Sequence, residues 1–233
     1  MASKPTLINA LAADLSGEIF ELPGYAAAGM AGEVPEPLPF EETVPMPRGS
    51  ELMMLPDRVP VLYNRSTRAM EPVLENPYAP GEPVFPVAVF NSPGYVATFS
   101  TAYEERKGAE ILPLFSYGAV GWGSGRFRSA AVRVDYEPRQ DLRRMPEDGV
   151  AAGVEKMRGN MPENRLRRHL EKCALTYGCP AAKNFFLGRY EAPLPTSRHC
   201  NARCLGCLSL QQESGIPCSQ DRIDFTPTAE EIA

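Results

Sequence analysis

The chain has 233 residues, 43% of them hydrophobic and 23% charged, with a formal net charge of −5. That is enough apolar material for a sizeable core, in one large domain or two small ones, and the acidic balance gives no reason to expect bulk electrostatic attraction to nucleic acid or an anionic membrane. The start, Met1 to Pro5, lacks the apolar run and cleavage site of a secretory signal, and no stretch approaches the ~18 apolar residues that span a bilayer. A cytoplasmic protein is expected.

The 24 prolines predict interrupted, turn-rich structure, because each fixes φ and removes a backbone donor. Thr6 to Leu15 and Glu18 to Leu22 read as strands around a Ser16-Gly17 turn. The small-residue run from Ala26 to Gly32, followed by Pro35, Pro37, Pro39, Pro45 and Pro47 among glutamates, reads as an exposed excursion. Glu51 to Leu55 and Val59 to Tyr63 suggest a strand pair around Pro56-Asp57-Arg58. Val84 to Phe90 is β-branched and aromatic, with Pro86 predicting an edge or a bulge. Tyr95 to Phe99 continues that sheet, and Thr101 to Lys107 has a short helical look. The clearest hairpin joins Leu112 to Trp122 with Phe127 to Tyr136, because Gly123-Ser124-Gly125 supplies the positive φ angles of its turn.

Beyond Asp141 the pattern turns helical. Val150, Val154 and Met157 share helical spacing, and a stronger helix runs from about Pro162 to Tyr177 on the stripe Leu166, Leu170, Cys173, Ala174 and Tyr177. Gly178 suits the left-handed position after its end. Its other face, with Arg165, Arg167, Arg168, Glu171 and Lys172, reads as solvated, and so does His169. Pro180 to Leu187 suggests a further short helix, and Gly188 to Thr196 an extended approach to a cysteine-rich loop. Near the end, Thr228-Ala229-Glu230-Glu231 has the form of a capping box.

All six cysteines lie between positions 173 and 218. In a reducing compartment such clustering points to metal binding or catalysis rather than disulfides. Three of them fall in Cys200-Asn201-Ala202-Arg203-Cys204-Leu205-Gly206-Cys207. Thiolates this close reach one metal centre from one loop, and three ligands leave one position of that centre open. Cys173, on the apolar stripe, reads as a buried small hydrophobe, Cys179 as more exposed, and Cys218 as a free thiol.

The spacing Cys200-x-x-x-Cys204-x-x-Cys207, behind an extended segment, resembles the signature of the radical S-adenosylmethionine superfamily. The resemblance implies a 4Fe-4S cluster held by Cys200, Cys204 and Cys207, with S-adenosylmethionine chelating the fourth iron. It implies reductive cleavage of that cofactor to a 5′-deoxyadenosyl radical, fed by a one-electron reductant such as ferredoxin or flavodoxin. In the family the residue before the third cysteine is usually aromatic and lies against the cofactor; here it is Gly206.

The fold expected from the residue pattern and the resemblance together is α+β. A mainly antiparallel β region covers 1–140, and a helical connector covers 141–188. The first strand and cluster loop of a truncated β/α, partly TIM-like barrel cover 189–233. The family's later strand-helix units, which carry substrate contacts, would lie beyond this sequence, so an N-terminal fragment without turnover of its own is expected. A second reading makes the same thiols, with Cys218 or His199, a closed structural zinc site in a non-enzymatic module.

Overall fold

The structure is a computed structural model, and it describes residues 5–112, 117–196 and 223–233. Two compact units divide it, residues 1–135 and 136–233.

The first unit is built from short antiparallel strands. β1 (Asn9–Ala13) turns at Asp14 to Gly17 into β2 (Ile19–Ala26). The Asp14 carboxylate accepts the Ser16 and Glu18 amides, closing that turn. β3 (Ala28–Ala31) and β4 (Val34–Pro37) form a hairpin, and β5 (Val44–Pro45) follows. Next come β6 (Glu51–Met54), β7 (Arg58–Asn64) and β8 (Ala69–Pro72), then a two-stranded ribbon of β9 (Glu75–Asn76) and β10 (Ala79–Pro83). β11 (Phe85–Phe90) is followed by β12 (Tyr95–Ala97), β13 (Ser100–Thr101) and β14 (Tyr103–Glu105). The unit ends with β15 (Gly118–Gly123), β16 (Arg126–Ser129) and β17 (Ala131–Arg133).

The strand pairings run in a circuit. β1 pairs with β2, β2 with β7, and β7 with β14. Through Ala102, whose carbonyl accepts the Val61 amide, β14 continues directly from β13, which pairs with β15. β15 returns to β1 at Trp122 opposite Asn9. The result is a nearly closed, barrel-like antiparallel sheet, which leaves few free edges.

β1 is covered on both sides. Ala10 and Ala12 pack with Leu22, Leu62 and Val84, whereas Leu11 and Ala13 pack with Val87, Val89 and Val120. Close strand approach demands small residues here. A Cβ placed on Gly121 would lie 2.6 Å from Ile8 Cδ1, 2.7 Å from the Asn9 carbonyl oxygen and 2.8 Å from Ala27 Cβ. A Cβ on Gly29 would lie 2.6 Å from Phe99 Cβ.

These contacts correct several sequence expectations. The run from Ala26 to Gly32 is not an exposed excursion: Ala26, Ala27 and Ala28 are buried, and β3 and β4 form there. Its small side chains let strands cross closely. β6 and β7 do not pair with each other; β6 pairs with β11, and β7 with β2, β8 and β14. Asp57, at φ 57°, sends the chain away between them. Pro86 lies in a central strand. It stands opposite Ala12, its carbonyl accepts the Leu55 amide, and β11 passes from β1 to β15 two residues later. A missing donor is tolerated at such a change of partner. β12 pairs with β17 in a separate ribbon. The segment 101–107, expected to be a short helix, instead holds the end of β13, β14 and the start of a turn, because pairing to β7 and the contacts of Arg58 fix residues 103–105 extended. Arg58, 1% exposed, donates to the Pro56 and Glu110 carbonyls and to Glu105. The hairpin of β15 and β16 forms at the expected turn, with Ser124 at φ 52° and Gly125 at φ 73°, but its second strand ends at Ser129, and β17, which was expected to continue it, pairs with β12.

The second unit is helical where it is regular. α1 (Glu147–Asn160) carries Glu147 and Asp148 in its first turn, a favourable place for negative charge. α2 (Arg165–Leu175) is capped by the Asn164 side chain, which accepts the Arg167 amide. α3 (Pro180–Phe186) starts on a proline at its first position, and α4 (Ala229–Ile232) carries the expected capping box of Thr228 and Glu231. Val150, Val154, Leu170, Cys173, Ala182 and Phe186 form the shared core of α1, α2 and α3. Gly153 permits the crossing of α1 and α3, since a Cβ there would lie 2.0 Å from the Phe186 carbonyl oxygen.

The expected β/α barrel is overturned. Among the described residues no strand follows β17, and residues 189–196 are irregular rather than the first strand of a barrel. The chain is mostly antiparallel β with few helices, not an α+β chain that opens into strand-helix alternation. Periodicity at 188–196 signalled only the absence of helix. A strand needs a paired neighbour, and Pro193 and Pro195 withhold two of the donors such pairing uses.

Substituting Gly121 with alanine should lower unfolding free energy by about 1–3 kcal/mol, because the new methyl meets backbone as well as side chains. Alanine at Gly125, where nothing lies within 4 Å but φ is positive, should cost about 1 kcal/mol. Urea unfolding followed by the fluorescence of Trp122 checks both.

Candidate functional site

Cys200, Cys204 and Cys207 lie outside the described residues, as do His199 and Cys218. What the structure describes is the chain on either side of them. It also describes Cys173 and Cys179, both buried. Cys179 is therefore less exposed than the neighbouring Gly178 and Pro180 suggested. Its amide bonds the Cys173 carbonyl and its side chain joins the helical core. His169 is half-buried rather than exposed, with Nε2 3.5 Å from Cys173 Sγ. Among the described residues no group of three or more His, Cys, Asp or Glu side chains is placed to hold a metal ion. Also among them, no helix is long and apolar enough to cross a membrane.

The flank preceding the cysteines is pinned through Asn184, which is fully buried on α3. Its Nδ2 donates to the Arg139 carbonyl at 2.9 Å and to Glu191 Oε1 at 3.1 Å, and its Oδ1 accepts from Arg189 Nε. Tyr190 takes a φ of 63° between these two anchored residues. Four residues beyond Glu191, Pro195 is buried.

The flank following the cysteines is held more strongly. Ile223 is buried. Arg165, the first residue of α2, grips Glu231 with its fork: Nε donates to Oε1 and Nη2 to Oε2, each at 2.7 Å. The Arg165 amide, one of the donors that a helix start leaves unpaired, also donates to Glu231 Oε1, at 3.1 Å. The Thr228 amide donates to Oε2 at 2.9 Å, which closes the capping box of α4. Asn164 Nδ2 donates to the Glu231 carbonyl, Arg165 Nη2 to the Thr226 carbonyl, and the guanidinium lies 4.5 Å from the Phe225 ring centre. One carboxylate thus serves the starts of two helices. The Arg165 guanidinium, with the Thr228 amide, holds the Glu231 carboxyl down to about 2.

Both flanks line one cavity of about 720 Å³. Its apolar walls are Leu166, Leu170 and Phe185 from the helices, Pro193 and Leu194 from the preceding flank, and Ile232 from the following one. Arg167 also lines it but is not free. It is 5% exposed and donates to Glu171 and to the Met161 and Pro162 carbonyls. Arg158 grips the same Glu171, and the two guanidinia, Arg158 foremost, depress its carboxyl. The charged face of α2 is therefore a set of structural contacts for Arg165, Arg167 and Glu171, while Arg168 and Lys172 are exposed. Sequence reasoning found the capping box but not its partner. Arg165 and Glu231 are 66 positions apart, and helical periodicity carries no signal for such a pair.

In the β unit a smaller cavity, about 430 Å³, lies between Thr6 to Asn9, Phe40 and the Trp122 to Ser124 turn. Glu41 is the one ionisable group among its lining residues, so it presents no acid–base pair.

No protein-family model, no curated protein and no solved structure matches the chain.

The Glu231 carboxyl ionises well below its ordinary 4.5, so folding favours its charged form. Its contribution to stability is complete above pH 4.5 and should fade as pH falls from there toward 2. An NMR titration of the Glu231 carboxyl should give a midpoint near 2, and protection of the α4 amides should fall through the same window. In Glu231→Gln that part of the pH dependence should be absent.

Proposed function

We propose that Cys200, Cys204 and Cys207 hold a 4Fe-4S cluster with one iron open, and that this cluster is the one a radical S-adenosylmethionine enzyme uses. The observation that carries this reading is the thiol spacing, three cysteines within eight residues at intervals of three and two. The donor set fits the group: thiolate sulfur is the usual ligand of iron-sulfur clusters, and three thiolates leave one of four irons without a protein ligand. When bound, that cluster supplies one-electron reduction of S-adenosylmethionine to methionine and a 5′-deoxyadenosyl radical.

The chain's own contribution is to present three deprotonated thiols together. Asn201 and Arg203, between the ligands, bring polar groups of the kind that tune a cluster's potential by hydrogen bonding. A one-electron reductant such as ferredoxin or flavodoxin belongs to the same reading. So does a cytoplasmic location, where thiols stay reduced.

Anaerobic reconstitution with iron and sulfide should give about four irons per chain and a brown protein with acid-labile sulfide. Alanine at Cys200, Cys204 and Cys207 together should abolish that iron. Retention of iron in the triple variant overturns the assignment. A colourless protein carrying one zinc, lost on substitution of the same cysteines, replaces it with the structural zinc module.

A further inference from the structure

The cavity of about 720 Å³ beside α2 differs from the closed core that α1, α2 and α3 share. Leu166 and Leu170, which line it, are each 4% exposed. Leu194 and Ile232 line it too, and they are 51% and 41% exposed. Large apolar side chains from two separate segments thus open to solvent around one hollow. Apolar surface gathered in this way marks a binding site more often than scattered exposure does. The volume falls in the range of small-molecule sites, roughly 300–1,000 Å³.

Charge decides what such a molecule carries. The ionisable side chains among the lining residues are Glu163, Arg167, Glu230 and Glu231. Two of these are already matched: Arg165 grips Glu231, and Glu171 meets Arg167. Glu163 and Glu230 are exposed, and among the described residues neither enters an ion pair. An anionic head in this cavity would face two carboxylates, with the one lining cation already bound to Glu171. A cationic head would find both carboxylates unmatched. Because those carboxylates stand at exposed positions, drawing a cation to them carries little of the desolvation cost of a buried pair.

We propose that this cavity binds a small amphiphilic cation, whose apolar body packs on Leu166, Leu170, Phe185 and Leu194 and whose ammonium group is drawn to Glu163 and Glu230. Burial of the apolar body supplies the affinity. The two carboxylates supply the selection by charge, which salt should weaken. The site draws on none of the cysteines, so its fate and that of the cluster assignment are separate.

The test uses the full chain and three probes that share one alkyl chain: decylamine, protonated at neutral pH, decanol and decanoate, each below its micelle-forming concentration. Methyl NMR follows Leu166, Leu170, Leu194 and Ile232. Decylamine should shift these methyls saturably and bind about tenfold tighter than decanoate at low salt, a preference built from two exposed charge contacts. Decanol should fall between them. Glu163→Gln with Glu230→Gln should bring decylamine and decanoate together and leave decanol unchanged, and each single variant should remove part of the preference. Ala192→Trp places a large ring at a lining position and should weaken all three probes at least tenfold. The absence of saturable shifts with any probe would overturn the proposal. So would equal or tighter binding of decanoate to the unaltered chain, or a preference for decylamine that survives loss of both carboxylates. Binding that persists at full strength in folded Ala192→Trp would place the probes elsewhere and overturn it as well.

Discussion

The Glu231 carboxylate accepts four donors: the two arms of the Arg165 fork, the Arg165 amide and the Thr228 amide. Two of these are amides that helix starts leave without intrahelical partners. A carboxylate so surrounded is held in its charged form across ordinary pH. The order of residues 223–233 on α2, and with it the convergence of both cysteine flanks on one cavity, depends on this group. Its partner Asn164 works in the same place. Its side-chain oxygen caps α2 while its amide nitrogen bonds the Glu231 carbonyl. The start of α2 is thus a junction where sequence-distant pieces of the unit meet.

The β unit is governed by a different constraint, the closeness of its strands. β1 has covered faces on both sides and three strand partners, so neighbouring positions must be small. Ala10, Ala12, Ala13, Ala26, Ala27 and Gly121 meet that demand. Arg58 and Arg128 show how the same unit accommodates buried positive charge. Arg128 is held by the Thr43 hydroxyl and by the Thr43 and Phe40 carbonyls, and its guanidinium lies 3.7 Å from the Phe40 ring centre. Burial, more than the neighbouring Arg126, pulls its pKa down.

Parts of this were legible from residue pattern. The β15–β16 turn was marked by its glycines, α1 and α2 by periodicity, and the cap of α4 by Thr228 and Glu231. These are local signals, decided within one turn or one strand pair. The misreadings share another cause. The run from Ala26 to Gly32 resembles a loop in composition, yet its small residues answer crowding from Leu38, Phe99 and Ala119. Residues 101–105 carry a helical look, and pairing with β7 makes them strand. Pro86 signalled an edge, and the change of partner along β11 made a central place harmless. Residues 189–196 were extended by pattern but had no strand to pair with, which removes the barrel that the family resemblance implied. The cysteine spacing is a reading of ligand chemistry rather than of fold, and Cys200, Cys204 and Cys207 lie outside the described residues.

That chemistry makes a claim finer than iron content, namely that one metal position carries no protein ligand. Mössbauer spectroscopy of protein reconstituted with isotopically enriched iron addresses it most directly. The account predicts that one iron of about four responds separately from the rest when S-adenosylmethionine is added. A spectrum that is unchanged by the cofactor, with every iron equivalent, would contradict it.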